Sequence, residues 1–367
     1  MIRLAISADG HISEPADLWS ANLTPSLREQ GPRVEVREGM ISMVVENRLL
    51  RKLAKAPDGM AEGSLADLAA WGQNEPASRL EALASDGVSG EVLYPTIAFF
   101  TAYSIEDRLL QTAVCEVYND WLVDAFQDPH FVPVAMLPSA QPDVCARELE
   151  RLAPRGVVAG LLPAHSDALP YNLPEWEPLW ETAAGLGISL SFHAGSGRHQ
   201  APVRGPGGAV TNYVVTLSGP IETATLLCAS GVLERHPKLR VMMVECGAGW
   251  LAWALDAMDE AYLEHEMFVK PKLAELPSAY FRRQGGVTFQ RDAVGITNRA
   301  TTGDACLFWG SDYPHPEGTY PKSREVLETQ FAGVPQDSTD DMTWRNTVNL
   351  YGLATPDGFD LKTSPNR

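Results

Sequence analysis

Short apolar runs recur along the chain, each ending in a Gly, Pro or polar cluster and each followed by a segment of helical length and amphipathic spacing. Parallel strands need long crossovers, most often helices, so this alternation is the mark of a parallel sheet. The runs fall at residues 4–8, 90–94, 132–137, 157–162, 189–193, 239–245, 287–289 and 307–310. Eight such strands in a chain of 367 residues predict an α/β fold closed into a (β/α)8 barrel of the TIM type. The intervening stretch 107–126 carries Leu109, Leu110, Ala113, Val117 and Trp121 at three-to-four spacing, and 222–234 reads as a second covering helix.

Two stretches break the rhythm. Residues 20–78, between the first two strands, are rich in Pro, Gly and charge and include the alternating run Met40-Ile41-Ser42-Met43-Val44-Val45. This predicts an elaborated first loop with a small hairpin that caps the barrel mouth. Residues 196–218 follow the fifth strand and contain Gly205-Pro206-Gly207-Gly208, a long loop suited to substrate access. The expected organisation is one barrel domain over 1–354 with its insertion at about 20–78, then a polar Pro- and Gly-containing tail over 355–367.

Lys and Arg number 29 against 47 Asp and Glu, a formal charge of −18, which disfavours nucleic acid and anionic membranes as partners. Every apolar stretch is interrupted before it reaches a membrane span. Residues 1–7 alternate like a strand and lack a signal-peptide pattern. Cys115, Cys145, Cys228, Cys246 and Cys306 lie far apart with no CxxC pair, as reduced, buried thiols of a cytoplasmic protein would. A nucleotide enzyme is disfavoured, since no GxGxxG opens a helix and no GxxxxGK[ST] occurs.

In a barrel of this type the working groups stand at the C-terminal ends of strands. Here those ends read Asp9-Gly10-His11, Phe192-His193, Val244-Glu245 and Gly310-Ser311-Asp312-Tyr313-Pro314-His315. Asp9 and His11 are two apart and so share a strand face, the barrel axis; closure brings the first and last strands together beside them. Asp9, His11, His193 and Asp312 then place two imidazoles and two carboxylates round one point, a donor set suited to one divalent ion, Zn2+ first and Mn2+ next. Glu245 has two readings, a site carboxylate or a structural partner of Arg240. His315 and His165 follow strand ends and face the mouth as candidate substrate contacts, and Arg198, beside His199, can fork onto a substrate carboxylate. His130, His236 and His265 read as surface residues, and Trp250 and Trp253 as packing or interface.

The chain resembles the second amidohydrolase family of the amidohydrolase superfamily, the branch containing aminocarboxymuconate semialdehyde decarboxylase and resorcylate decarboxylase. The marks are Asp9-x-His11-x-x-Glu14-Pro15, Tyr118-Asn119-Asp120-Trp121-Leu122, Phe131-Val132-Pro133-Val134-Ala135-Met136-Leu137-Pro138, Phe192-His193-Ala194-Gly195, His236-Pro237-Lys238-Leu239-Arg240 and the closing Gly310 to His315 run. The resemblance implies that Asp9, His11, His193 and Asp312 are metal ligands and that the enzyme is a homodimer, while Asp312 and Glu245, carboxylates at strand ends beside that ion, are the candidate catalytic proton carriers. It also implies nonoxidative decarboxylation of a small carboxylated, oxygenated aromatic or dienoate. Two positions depart from the pattern: Asp9 stands where many members have His or Glu, and Glu245 where the decarboxylases have His. A carboxylate there keeps a hydrolase open, with a metal-bound hydroxide attacking an amide, ester, lactone or C–C bond. A regulatory or scaffolding barrel would instead show a filled metal shell and a closed mouth.

Overall fold

The computed structural model describes residues 2–66, 74–197 and 203–356. In chain order its strands are β1 (Ser7–Ile12), β2 (Arg33–Arg37), β3 (Met40–Val45), β4 (Arg48–Lys55), β5 (Glu91–Pro95), β6 (Phe131–Met136), β7 (Ala159–Pro163), β8 (Ser189–His193), β9 (Val241–Val244), β10 (Gly285–Phe289) and β11 (Leu307–Trp309). Eight of them form one sheet in the order β1-β5-β6-β7-β8-β9-β10-β11, every neighbour parallel. The sheet closes through the segment after β11: the Asp312 amide donates to the Asp9 carbonyl at 2.8 Å and the His11 amide to the Tyr313 carbonyl at 2.7 Å. The predicted (β/α)8 barrel is therefore present, with its seam between the ends of β1 and β11.

Strands buried on both faces need no alternation, and β5, β8 and β9 are buried along their whole length. The helix Arg108–Ala125 starts where the Asp107 carboxylate accepts the Leu109 and Leu110 amides, and it buries Leu110, Val114, Tyr118 and Leu122. The helix expected over 222–234 differs. It runs Ser218–Ala229, stops, and restarts as Val232–Arg235, because Gly231 sits in the left-handed region at φ 77°.

The first insertion holds more than a hairpin. β2, β3 and β4 make a three-stranded antiparallel sheet. Its tight turns are Glu38-Gly39 and Glu46-Asn47, all four at positive φ, the backbone that matches strand twist in two-residue hairpins. β4 escapes a hydrophobic reading because Arg48, Arg51, Lys52 and Lys55 interrupt it and most of it is exposed. Side chains tether this sheet to the barrel. The Glu46 carboxylate accepts the Glu106 and Asp107 amides at 3.0–3.2 Å, and Arg48 reaches Glu106 and the Ser104 carbonyl, both at 2.8 Å.

The five cysteines are buried. Among the described residues no helix is long and apolar enough to cross a membrane. Most of the expected tail lies outside the described residues.

Candidate metal centre and cavity

The ends of β1, β8, β9 and β11 converge. His11 Nδ1 lies 3.0 Å from the Pro95 carbonyl and His193 Nδ1 3.0 Å from the Ala194 carbonyl. A carbonyl only accepts, so each Nδ1 carries the proton and each Nε2 turns to the centre, the usual way a ligating imidazole is oriented. The two Nε2 atoms are 3.2 Å apart. Two neutral lone pairs that close repel unless a proton or a cation lies between them.

Carboxylates ring this pair. Asp9 Oδ1 is 3.7 Å from His11 Nε2 and 3.8 Å from His193 Nε2, while Asp312 Oδ1 is 3.6 Å from His11 Nε2. Glu245 Oε2 is 3.3 and 3.5 Å from the same two nitrogens. Asp9 and Asp312 are wholly buried, and among the described residues Asp9 Oδ1 and both Asp312 oxygens lack a hydrogen-bond partner. Asp312 Oδ1 does lie 2.9 Å from His315 Nδ1, but without the alignment of a hydrogen bond. Buried, unpartnered carboxylate oxygens are costly, and facing lone pairs add to the cost, so this donor set fits a divalent cation. Two overlapping groups can hold one: Asp9, His11 and His193, and His11, Glu245, Asp312 and His315.

The electrostatics agree. Burial drives the Asp312 carboxyl well above the usual carboxylate range, and the neighbouring charges of Glu245 and Asp9 drive it further. Burial also raises Glu245. Burial opposes a charge on His193, but the neighbouring carboxylates of Asp9 and Glu245 outweigh that and push it up to about 9. Burial, then His315 and His193, holds His11 well below its ordinary value. In the ion-free chain a proton on His193 thus supplies positive charge at the centre.

Local structure holds these groups under strain. Glu245 and Asp312 have φ of 53° and 55°, a left-handed backbone unfavourable for both. The Glu245 amide donates to Thr288 Oγ1 at 2.7 Å, and that hydroxyl donates to Asp9 Oδ2 at 3.2 Å. Asp292 accepts the Ala248, Gly249 and Gly295 amides at 2.6–2.8 Å, fixing the loop that follows Glu245, and the Trp250 indole donates to the Cys246 and Gly247 carbonyls. Arg79, in a fully buried ion pair with Glu91, donates to the Tyr313 carbonyl at 3.2 Å. Glu14 accepts the Ile97 and Ala98 amides, tying the β1 loop to the helix after β5. A Cβ on Gly310 would stand 2.4 Å from that of Asp9, so only glycine fits there.

A cavity of about 960 Å3 opens above the centre, lined by His11, Glu245 and His315 and walled by Met43, Arg51, Phe99, Phe100 and Tyr213 among others. His315 stacks on His11 with ring centroids 4.0 Å apart, so this expected contact does reach the site. His165 does not line the cavity; its ring lies 2.5 Å from Asp167 and 3.4 Å from Glu222. Arg198 and His199 lie outside the described residues. Glu245 meets His11 and His193, which places it in the site, and Arg240 donates to the Arg283 carbonyl. Sequence reasoning missed Arg51, whose guanidinium lies 5.1 Å over the Phe100 ring with no carboxylate partner among the described residues. The signal was a cation in the loop expected to cap the mouth.

The gamma-resorcylate decarboxylase of Rhizobium radiobacter is 26% identical over 198 residues, 49% of this chain and 58% of that protein, so the match spans little more than half of the relative's length. Solved structures of the same fold include an amidohydrolase from Mycobacterium avium subsp. paratuberculosis, with a TM-score of 0.79 and 17% identity over 96% of this chain and all of that one. A dihydroxybenzoic acid decarboxylase from a Polaromonas species, solved with manganese and the inhibitor 2-nitroresorcinol, superposes with a TM-score of 0.65 and 18% identity over 97% of this chain and 98% of that one. The amidohydrolase family profile matches residues 69–353, most of the barrel and every strand end that converges here except that of β1, and the chain belongs to that family.

Proposed function

We propose that this protein is a metal-dependent carboxy-lyase that removes CO2 nonoxidatively from a small carboxylated, oxygenated aromatic or dienoate. One observation carries the reading: the facing imidazole nitrogens and unpartnered carboxylates lie at the floor of a cavity whose wall pairs the Phe99 and Phe100 rings with Arg51. A planar anionic substrate meets aromatic faces, a cation and the metal centre together. The relative named gamma-resorcylate decarboxylase and the manganese-containing neighbour support the same direction.

Asp9, His11, His193 and Asp312 would hold one divalent ion, Zn2+ or Mn2+, which when bound acts as a Lewis acid toward substrate oxygens. Arg51 holds an anionic edge of the substrate, and Phe99 and Phe100 set the ring plane. Asp312 passes a proton to the carbon bearing the carboxylate. The electron pair of the breaking C–C bond then returns to the ring or diene as CO2 leaves, and Asp312 is reprotonated from the cavity.

The protein loaded with Zn2+ or Mn2+ is expected to release CO2 from a member of a hydroxybenzoate panel and, in D2O, to leave one deuterium on the former carboxyl carbon. No release from any member overturns the lyase reading. Glu245 favours a second reading, hydrolysis, since a carboxylate beside the metal can serve as base for water; 18O from labelled water in the product would identify it. A homodimer in the cytoplasm belongs to the same proposal, and exposed Trp253, Met267 and Phe268 support an interface.

A further inference from the structure

We infer that Glu245 is itself a metal ligand, and the displaceable one, so that an incoming substrate oxygen exchanges with its carboxylate. The inference rests on the metal-dependent reading above and extends it to a residue outside the expected ligand set.

Distance is the first argument. Donors bound about 2.0–2.2 Å from one ion lie roughly 2.8–3.6 Å apart, between right-angled and tetrahedral arrangements. Glu245 Oε2 stands 3.3 Å from His11 Nε2 and 3.5 Å from His193 Nε2, nearer to either nitrogen than the Asp9 or Asp312 oxygens are. It also falls within ligand reach of Asp312 and His315. Among the described residues its oxygens have no ion-pair partners other than His11 and His193.

Backbone is the second. A left-handed glutamate is unfavourable, and the loop keeps it there through the Thr288 hydroxyl on its amide and Asp292 on the two amides at Ala248 and Gly249. A side chain aimed at solvent or at Arg240 would need none of this.

Exposure separates the three carboxylates. The Asp9 and Asp312 side chains are 0% exposed, whereas that of Glu245 is 23% exposed and lines the cavity. Only Glu245 can swing off without opening the barrel. Its replacement by a substrate carboxylate conserves the charge around the ion, so an anionic acid can bind a centre already ringed by carboxylates. A third carboxylate also hardens the oxygen donor set and favours Mn2+ over what two imidazoles and two carboxylates would prefer.

Equilibrium dialysis with Mn2+ and with Zn2+, read with Mn2+ electron paramagnetic resonance, tests this on the full chain. Wild type is expected to bind one Mn2+, Glu245→Gln to bind it about tenfold or more weakly with an altered spectrum, and Glu317→Gln, on the cavity wall, to match wild type. No ion bound by wild type overturns the metal-dependent reading. Equal affinity and spectrum in wild type and Glu245→Gln overturn only the present inference. Should that variant not fold, wild-type crystals soaked in Mn2+ decide: an anomalous peak about 2.0–2.2 Å from a Glu245 carboxylate oxygen supports the assignment, and a peak well beyond bonding distance rejects it.

Discussion

The floor of the cavity and its inserted wall are built on opposite terms. The floor stands on strand ends, its aspartates wholly buried and its backbone tied across the barrel seam and held partly in left-handed conformations. The wall is a three-stranded sheet with an exposed outer strand, β4, fastened to the barrel through side chains such as Glu46 and Arg48. Groups that must meet an ion within a few tenths of an ångström belong on rigid elements, and groups that choose a substrate can ride on an insertion. Substitutions in the two regions should therefore fail differently.

The sharpest contrast comes from Asp312→Asn. Asparagine tolerates the left-handed backbone, so the fold should survive while turnover falls by about 10³-fold or more and metal content drops, checked by steady-state rates and metal analysis. A fully active variant would dissolve the distinction.

Glu14 probes how firmly the floor is seated. Burial raises its carboxyl from 4.5 to about 7 against the pull of two donated amides. Between those values the folded chain keeps a proton that the unfolded chain has released. Stability from this group should thus fall by about 3 kcal/mol as pH rises from 4.5 to 7, and Glu14→Gln should flatten that slope in denaturant titrations.

Gly310→Ala forces a methyl against Asp9 and should cost about 1–3 kcal/mol, with weaker metal binding seen by calorimetry. On the wall, Arg51→Ala should raise KM roughly tenfold to hundredfold, about 1.5–3 kcal/mol of a charged contact, and leave metal content untouched. Metal loss in that variant would break the division of labour. The smallest effect belongs to Glu46→Ala, which unties the sheet: a cost of about 1 kcal/mol in thermal melts, with KM moving more than metal affinity.

What could be read from the chain follows the same division. The eight barrel strands and the convergence of Asp9, His11, His193, Asp312 and Glu245 were legible because strands such as β6, β9 and β11 are short apolar runs and a polar residue at a strand end has one place to point. β4 and Arg51 were not, because an exposed strand studded with cations carries no hydrophobic period. His165 obeyed the strand-end rule in sequence, yet Asp167 two residues on and Glu222 on the helix Ser218–Ala229 hold its ring away from the cavity. The break at Gly231 lay in view, but whether a glycine ends a helix or sits within it depends on packing that no local pattern reports.

The seam has a consequence for biosynthesis. Asp9 and His11 leave the ribosome about three hundred residues before Asp312, yet all three border one centre. Between those two events the nascent chain carries an incomplete donor set. The full set assembles only once β11 has closed against β1, so a chain cut before β11 should hold an ion more weakly than the whole barrel.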